Sequence, residues 1–226
     1  METKEKIREI EEIVQQELSC SAHSLDHSMR VYRLCRLIAD KKSVDMETLE
    51  IAALMHDIGQ SKEASDSSGK TDHAIEGAKM AGDILRDLHF PEDKIKNIQN
   101  CIISHRYRTK NRPKTEEAKI LFDADKLDGI GALGIARMFA WVGKNGANIY
   151  RRVDLEEYAK ENLTGGDING RIKDRTKHSP QIEFEIKAGR LKDRLYTKEA
   201  KSIFDERVEY MRKFLERLEN EVEGKI

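Results

Sequence analysis

The sequence predicts an all-α protein, and two observations support this. Apolar residues recur at steps of three and four through most of the 226 residues, which is the period of an amphipathic helix. No stretch alternates apolar and polar residues over a convincing length, as a half-buried strand would. No internal repeat or linker separates two parts of the chain, so residues 1–226 are expected to form a single domain.

The first part of the chain is predicted to contain three helices and a loop. Each helix follows from one apolar face: residues 4–19, residues 24–40 with Ser24 as the cap, and residues 45–57. Gly59, just beyond the third helix, is typical of a helix end. Residues 60–72 are small and polar without an apolar period, which predicts a loop.

The later elements follow from capping residues and apolar faces. Helices are predicted over 73–88, from Pro91 at a first helical position, from Thr115 into the segment 120–128, from Asp154 with Glu157 in a capping box, and after Thr197. Leu163–Pro180 holds three glycines and alternating charges, which predicts a mobile loop. The last helix repeats apolar residues at steps of four and three. That helix either covers the core or pairs with a second subunit.

Residues 129–134 spell Gly-Ile-Gly-Ala-Leu-Gly, which formally matches G-x-G-x-x-G. No predicted strand precedes the segment and no βαβ unit surrounds it, so a dinucleotide site is not expected there. We interpret the glycines as closely packed backbone near the site.

Composition excludes several classes of function. Charged residues make up 37% of the chain, well above the usual quarter or so, yet the net charge is only −1. A general binder of nucleic acid or of acidic membranes would need a basic excess, so neither polymeric nucleic acid nor a membrane is an expected partner. No apolar run approaches the roughly 20 residues of a membrane span. Three cysteines outside any CxxC pair, with no signal peptide, predict a reduced, cytoplasmic protein.

His56 and Asp57 lie side by side at the end of an apolar helix, where burying a charge costs several kcal/mol unless it is paired or bound to a cation. A metal ion satisfies both side chains. His27, on the inward edge of its helix, is either a further ligand or a hydrogen-bonded core histidine. A fourth ligand is expected from a later apolar stretch, where periodicity does not choose among three carboxylates: Asp123, Asp125 and Asp128.

Two nitrogen and two oxygen ligands suit one divalent cation such as Mn²⁺, Fe²⁺, Co²⁺, Ni²⁺, Zn²⁺ or Mg²⁺. His73 and His105 either support this site and contact substrate, or hold a second metal. Glu76, one turn after His73, is a general base or a packing residue. His23, His89 and His178 are expected on the surface or in loops, with no role.

Basic residues near these positions suggest a phosphorylated substrate. Arg30 and Lys126 each stand close to a proposed ligand and could neutralise a phosphoryl oxygen. Arg106 and Arg108 belong to a basic run directly after His105, which is either a phosphate-binding segment or a solvated loop. A second group could close over a substrate as a lid: Arg171, Lys173, Arg175 and Lys177.

These residues resemble the HD superfamily of metal-dependent phosphohydrolases, whose signature is H…HD…D. His27 in Leu-Asp-His-Ser-Met-Arg-Val matches the first histidine, and His56-Asp57 matches the pair. Asp-Lys-Leu-Asp is similar to the final motif, in which the ligand carboxylate precedes a basic residue and a leucine, and this selects Asp125. The resemblance covers about residues 20–140 and implies an HD-domain helical bundle, with the helices of about 150–226 packed on it.

The chain resembles more narrowly a bacterial and archaeal subgroup of small HD hydrolases, some of which are nucleoside triphosphate pyrophosphohydrolases. Three segments carry this resemblance: Thr-Asp-His-Ala-Ile-Glu-Gly-Ala, Ile-Ile-Ser-His-Arg and Leu-Lys-Asp-Arg-Leu-Tyr-Thr-Lys-Glu-Ala. The first motif of that subgroup often reads HDxxH, whereas Asp26 directly precedes His27 here. The outer histidine is therefore missing or supplied by His23. The Gly-Tyr-Pro motif of cyclic-dinucleotide phosphodiesterases is absent.

The resemblance implies a phosphohydrolase that uses metal-activated water on a phosphate ester or anhydride, most simply a nucleotide. The metal ligands would be His27, His56, Asp57 and Asp125, the catalytic candidates His73, Glu76, His105 and Lys126, and the phosphate-binding candidates Arg30, Arg106 and Arg108. Two alternatives stay open: a di-iron HD-type oxygenase and a non-catalytic nucleotide-binding sensor. The expected partner is a small phosphorylated molecule, and the chain is expected as a monomer or a homodimer.

Overall fold

The computed structural model describes residues 2–18, 25–106, 111–168 and 170–226. Within these ranges the chain forms eleven α-helices and three short 3₁₀ turns, and its one β contact is an isolated bridge between Leu163 and Ile172. The all-α prediction is confirmed. None of the described helices combines the length and the apolar character that a membrane span requires.

The chain divides into two compact units. The first comprises Met1–Asp128 and Tyr196–Ala200, and the second comprises Gly129–Leu195 and Lys201–Ile226. The single-domain organisation stays a prediction, and each unit is described by itself.

The first unit contains seven complete helices. They are α1 (Glu2–Leu18), α2 (Leu25–Ala39), α3 (Met46–Met55), α4 (Gln60–Ser65), α5 (His73–Asp87), α6 (Glu92–Ser104) and α7 (Glu116–Leu127). α3 is the central helix, because it contacts α1, α2, α6 and α7. Its last five residues are all fully buried, so this end of α3 lies inside the core of the unit.

Local sequence explains where α3 begins and ends. The Asp45 side chain accepts a hydrogen bond from the Thr48 amide and caps the helix. α3 ends at Met55, and residues 56–59 form a turn rather than a further helical turn. Gly59 is required in that turn because a Cβ there would lie 2.3 Å from the carbonyl oxygen of His73. The start of α5 thus packs directly against the segment that carries His56 and Asp57.

The predicted loop over 60–72 is partly wrong, because residues 60–65 form α4. None of its residues is buried, so it has no apolar period by which a sequence pattern could reveal it. The other predicted helices of this unit are confirmed within a few residues, although Pro91 is the cap of α6 and not its first helical residue. The predicted cap Ser24 lies outside the described residues.

The second unit contains α8 (Ala132–Asn145), α9 (Leu155–Asn162), α10 (Pro180–Leu191) and most of α11 (Lys198–Val222). The helices after Asp154 and Thr197 are confirmed, whereas α8 and α10 were not predicted. The predicted loop over 163–180 contains two 3₁₀ turns and the isolated bridge. A core of this unit is formed by Tyr158, Ala159, Leu163 and Ile182.

The glycines of residues 129–134 do serve close backbone packing. A Cβ on Gly134 would lie 2.4 Å from the carbonyl oxygen of Gly129, and Gly131 has φ +92°, which favours glycine. The Gly131 amide also donates to Met211 Sδ at 3.1 Å, so the apolar face of α11 covers this segment within the second unit. Pairing of α11 with a second subunit stays a prediction.

Candidate metal centre

The first unit brings six predicted site residues together at the ends of its helices. They are His27 in the first turn of α2, His56 and Asp57 in the turn after α3, His73 as the first residue of α5, His105 directly after α6, and Asp125 in the last turn of α7. All four histidines are at least nine-tenths buried. The site is therefore built from positions that are far apart in sequence, and the packing around α3 fixes their arrangement.

Four of these residues form a first cluster. His27 Nε2 lies 3.2 Å from His56 Nε2, 3.4 Å from Asp125 Oδ1 and 3.6 Å from Asp57 Oδ2. His56 Nε2 lies 3.7 Å from Asp57 Oδ2 and 4.0 Å from Asp125 Oδ1. Ligands at about 2.0–2.2 Å from one ion are about 3–4 Å from each other, so this spacing suits a shared cation.

The other oxygen of Asp57 belongs to a second cluster. Asp57 Oδ1 lies 3.5 Å from His73 Nε2 and 3.6 Å from His105 Nε2, and the two ring nitrogens are 3.3 Å apart. One carboxylate thus faces two groups of imidazoles, one through each oxygen. If each group held an ion, Asp57 would serve both of them.

The orientation of each ring is set by a partner on its Nδ1. His27 contacts Asp128 Oδ2 at 2.8 Å, and His73 contacts the Glu63 carboxylate. The remaining pairs are with main-chain carbonyls: His56 with Ala53 at 2.8 Å and His105 with Ile102 at 2.6 Å. Carbonyl and carboxylate oxygens only accept, so every Nδ1 donates its proton and every neutral ring turns the lone pair on Nε2 inward.

Hydrogen-bond acceptors therefore lie close together in the interior of the site. Four Nε2 lone pairs and the oxygens of Asp57 and Asp125 face one another, which is costly in a buried place unless a cation or proton lies between them. Burial alone would lower the pKa of His27, but the carboxylates of Asp125 and Asp128 raise it to about 9. For His56, burial dominates and lowers the pKa to about 4. The donor set fits a divalent metal that takes the place of the proton on His27.

The three aspartates that the sequence left open have three different environments. Asp125 belongs to the first cluster, where its Oδ1 lies near His27 Nε2. Asp128 binds the Nδ1 side of His27. Asp123 is fully buried and accepts hydrogen bonds from the main chain and side chain of Thr197. Only the surroundings distinguish them, because all three follow the same apolar stretch.

Two of the predicted cationic residues, Arg30 and Lys126, pair with aspartates at the site. Arg30 makes a two-point contact with Asp128, at 2.7 Å from Nε and 3.1 Å from a terminal nitrogen, so Asp128 is fixed between Arg30 and His27. Lys126 pairs with Asp125 and donates to the main-chain oxygen of His105 at 2.9 Å. Both cations stand beside the site, and their contact with a phosphate stays a prediction.

The other predicted substrate residues are less closely tied to the clusters. Arg106 forms ion pairs with Glu63 at 2.8 Å and Asp72 at 3.0 Å. Glu76 pairs with Lys79 on its own helix at 2.6 Å. Arg108 and the proposed outer histidine His23 lie outside the described residues. The roles proposed for these side chains stay predictions.

Sequence analysis missed Glu63. Its carboxylate accepts from both the main-chain amide and the Nδ1 of His73 and pairs with Arg106. Burial would raise the pKa of Glu63, but these hydrogen bonds and the nearby charge of Arg106 keep it below its ordinary value. No sequence signal identified Glu63, because it lies in α4, within the segment predicted as a loop.

Part of the chain matches a known protein family. The family model described as "HD domain" matches residues 24–130, which include every histidine and aspartate of the two clusters. Residues 24–130 thus match an HD domain. The resemblance inferred from the sequence is confirmed.

Two relatives span nearly the whole chain. The uncharacterized protein YpgQ of Bacillus subtilis (strain 168) is 28% identical over 208 residues, which are 90% of this chain and 86% of YpgQ. A predicted HD superfamily hydrolase from an uncultured Thermotogales bacterium is 26% identical, with a TM-score of 0.64 over 95% of this chain and 91% of that chain. The chain therefore has the fold of an HD superfamily hydrolase, with a His/Asp cluster able to bind metal.

Two further similarities concern ligands or substrates of other proteins. The structure of Bacillus subtilis YpgQ in complex with ADP is 26% identical to this chain, with a TM-score of 0.68 over 98% of this chain and 97% of that chain. Ribonuclease Y of Lawsonia intracellularis is 31% identical over 111 residues, which are 49% of this chain but only 19% of that protein.

Proposed function

We propose that this protein is a metal-dependent phosphohydrolase that cleaves a phosphate ester or anhydride of a nucleotide. The observation that carries the proposal is the collection of buried acceptors around Asp57, which has one oxygen toward each of two imidazole pairs. Such a set is balanced only by positive charge. Phosphoryl transfer needs positive charge in the active site, because the transferred group carries negative charge in the transition state.

His27, His56, Asp57 and Asp125 would hold the first divalent ion, which when bound lowers the pKa of water and polarises phosphoryl oxygens. Asp128 keeps the lone pair of His27 directed inward, and Arg30 keeps Asp128 in place. Lys126 pairs with Asp125 at the site, and its ammonium would neutralise a phosphoryl oxygen of the substrate. Because these supports exist in the protein itself, the ligand geometry is preorganised.

A second ion is proposed at Asp57, His73 and His105. The rings of His73 and His105 present Nε2 lone pairs to Asp57 Oδ1, and both Nδ1 atoms are already engaged. The alternative role, that these histidines contact substrate directly, requires the same Nε2 atoms. Metal analysis of the purified protein distinguishes the two by stoichiometry, at two ions or one per chain.

The nucleotide part of the proposal rests on similarity. YpgQ, which matches nearly the whole chain, has been solved in complex with ADP. A nucleotide also suits the two cations beside the centre, because its phosphates are negatively charged. Arg30 donates to Asp128, and Lys126 donates to the main-chain oxygen of His105. We therefore favour a nucleoside di- or triphosphate over a simple phosphomonoester.

The test is a panel of nucleoside mono-, di- and triphosphates, p-nitrophenyl phosphate and a short RNA, each assayed with Mn²⁺, Mg²⁺, Co²⁺, Ni²⁺, Zn²⁺ or Fe²⁺. Chromatography and a phosphate assay identify the products as phosphate or pyrophosphate. We expect turnover of at least one nucleotide that EDTA abolishes. Cleavage of RNA alone would mean that the substrate is a polymer and not a free nucleotide. Nucleotide binding without turnover with any of the metals would favour a nucleotide sensor.

The Asp128→Asn variant tests whether metal affinity depends on the support behind His27. Asparagine keeps the size of the side chain but loses the charge that holds His27 Nδ1 and Arg30. We expect metal affinity to fall about 10–100-fold, the usual effect of removing such a partner. Isothermal titration with Mn²⁺ measures the change, and Asp83→Asn on the exposed side of α5 is the matched control. Equal affinity in both variants would contradict the proposed role of Asp128.

A di-iron oxygenase is the second candidate, favoured by the Asp57–His73–His105 cluster, because a shared carboxylate with several imidazoles also suits a pair of irons. Anaerobic purification with iron distinguishes the candidates. Two irons per chain and oxygen consumption with an organic substrate would support the oxygenase, whereas phosphate or pyrophosphate release without oxygen uptake would exclude it.

A further inference from the structure

A cavity of about 230 Å³ lies in the second unit, lined from α8, α10 and the segment between Ile172 and Pro180. Its apolar side is formed by Met138, Trp141 and Val142 of α8. Its polar side carries His178, Glu183 and Lys187. None of the residues proposed to bind metal lines this cavity, so it needs an explanation of its own.

The polar side is a connected hydrogen-bond network. Asn162 Nδ2 donates to the Tyr158 hydroxyl at 3.0 Å, and that hydroxyl lies 2.8 Å from His178 Nδ1. His178 Nε2 in turn lies 3.1 Å from Glu183 Oε2. Because the carboxylate only accepts, His178 donates through Nε2 and accepts from Tyr158 through Nδ1. His178 lies in a loop before α10, as predicted, but its side chain is only 3% exposed and not on the surface.

This network fixes a negative charge at the wall of the cavity. Lys187 Nζ lies 3.0 Å from Glu183 Oε1, on the side away from His178. Burial would raise the pKa of Glu183, but the hydrogen bond from His178 and the charge of Lys187 lower it to about 2. A carboxylate offers about four acceptor positions, and these two neighbours occupy two of them. Glu183 therefore keeps acceptor capacity, with the donor Lys187 directly beside it.

We propose that this cavity binds the ring of an aminopurine. The indole of Trp141 supplies a flat apolar wall on which a heterocycle can stack. The acceptor Glu183 beside the donor Lys187 matches a ring edge that carries an N–H group next to an acceptor atom, as guanine and adenine do. The exposed guanidinium of Arg137 adds a second cation to the lining.

The size of the cavity limits the ligand. Pockets for drug-sized molecules run from roughly 300 Å³ upward, so 230 Å³ suits a base or a nucleoside and not a dinucleotide. Gly129 and Gly134, which belong to the G-x-G-x-x-G segment, also line the cavity. They are pressed against each other and leave no room for a pyrophosphate between them.

The chain supplies its own reporter, because Trp141 is its one tryptophan. Titration of the whole protein in EDTA with guanosine, adenosine or uridine, followed by tryptophan fluorescence, reports on this cavity. Nucleosides carry no phosphate, so the result is independent of any hydrolysis. We expect a saturable change with both purine nucleosides and at least tenfold weaker binding of uridine, because its single ring offers less area to stack on Trp141.

Two variants locate the response. Glu183→Gln should weaken purine nucleoside binding about tenfold or more, because it removes a charged acceptor. Glu185→Gln, at an exposed position on the same helix, is the matched control and should bind as the parent does. Val142→Phe should block binding by filling the cavity, and circular dichroism establishes that each variant is folded.

Three results would overturn the proposal. The first is the absence of any saturable change with purine nucleosides up to millimolar concentration. The second is equal binding by the parent and by folded Glu183→Gln and Val142→Phe. The third is a response that requires added metal, since it would then belong to the centre around Asp57. Each differs from a failure of the phosphohydrolase proposal, which would show as the lack of metal-dependent turnover.

Discussion

Replacing Asp57 with alanine is expected to reduce metal-dependent turnover about 10³-fold or more and to remove bound metal from both positions. The reason is that its two oxygens face different histidine pairs, so a single substitution takes a ligand from each cluster. Elemental analysis of the purified variant measures the metal, and initial rates of product release measure turnover.

Asp40→Ala is the control for this experiment, because Asp40 is an exposed carboxylate after the end of α2. Its metal content and rate should equal those of the parent. The circular dichroism of Asp57→Ala should also match the parent, since α3 is held by the apolar residues around it. Metal-dependent activity that survives in Asp57→Ala would contradict both the metal assignment and the proposed reaction.

Replacing Asp123 with alanine is expected to lower the free energy of unfolding by about 3 kcal/mol. Its buried carboxylate accepts from the amides of Tyr196 and Thr197, at 2.9 Å and 2.7 Å, and from the Thr197 hydroxyl at 2.7 Å. Alanine leaves these donors without a partner. Urea unfolding in EDTA measures the loss separately from any contribution of bound metal.

A double-mutant cycle with Thr197→Val tests the cause. Thr197→Val removes the hydroxyl donor but keeps the size of the side chain, so its effect should be smaller than that of Asp123→Ala. The two losses should combine to less than their sum, because the variants remove opposite ends of one hydrogen bond. Strict additivity would mean that Asp123 stabilises the protein in another way.

The helices that sequence analysis predicted are those with a capping residue or a clear apolar face. α3 has both, since Asp45 caps it and seven of its ten residues are buried. α4 has neither and was predicted as a loop. α10 has a signal that was overlooked, because Ser179 followed by Pro180 is a typical helix start. The three glycines before it favour a loop over a helix in this part of the sequence.

The site was predictable to the extent that residue type carries the chemistry. His56 and Asp57 are conspicuous because two ionisable residues end an apolar run, and the structure brings His27 and Asp125 to them. The supports were not predictable, since two of the four Nδ1 partners are main-chain carbonyls, which any residue type supplies. Periodicity could not separate Asp125 from Asp123 and Asp128, because all three follow the same apolar stretch.

The position of Asp57 has a consequence for how the protein responds to metal supply. With ions at both proposed positions, the first would neutralise most of the charge of the shared carboxylate, so the second would meet a weaker attraction and the repulsion of the first. Loading is therefore expected to be sequential, with two dissociation constants of unequal size. A cell short of transition metals would hold mostly singly loaded protein, and a replete cell would hold the fully loaded form.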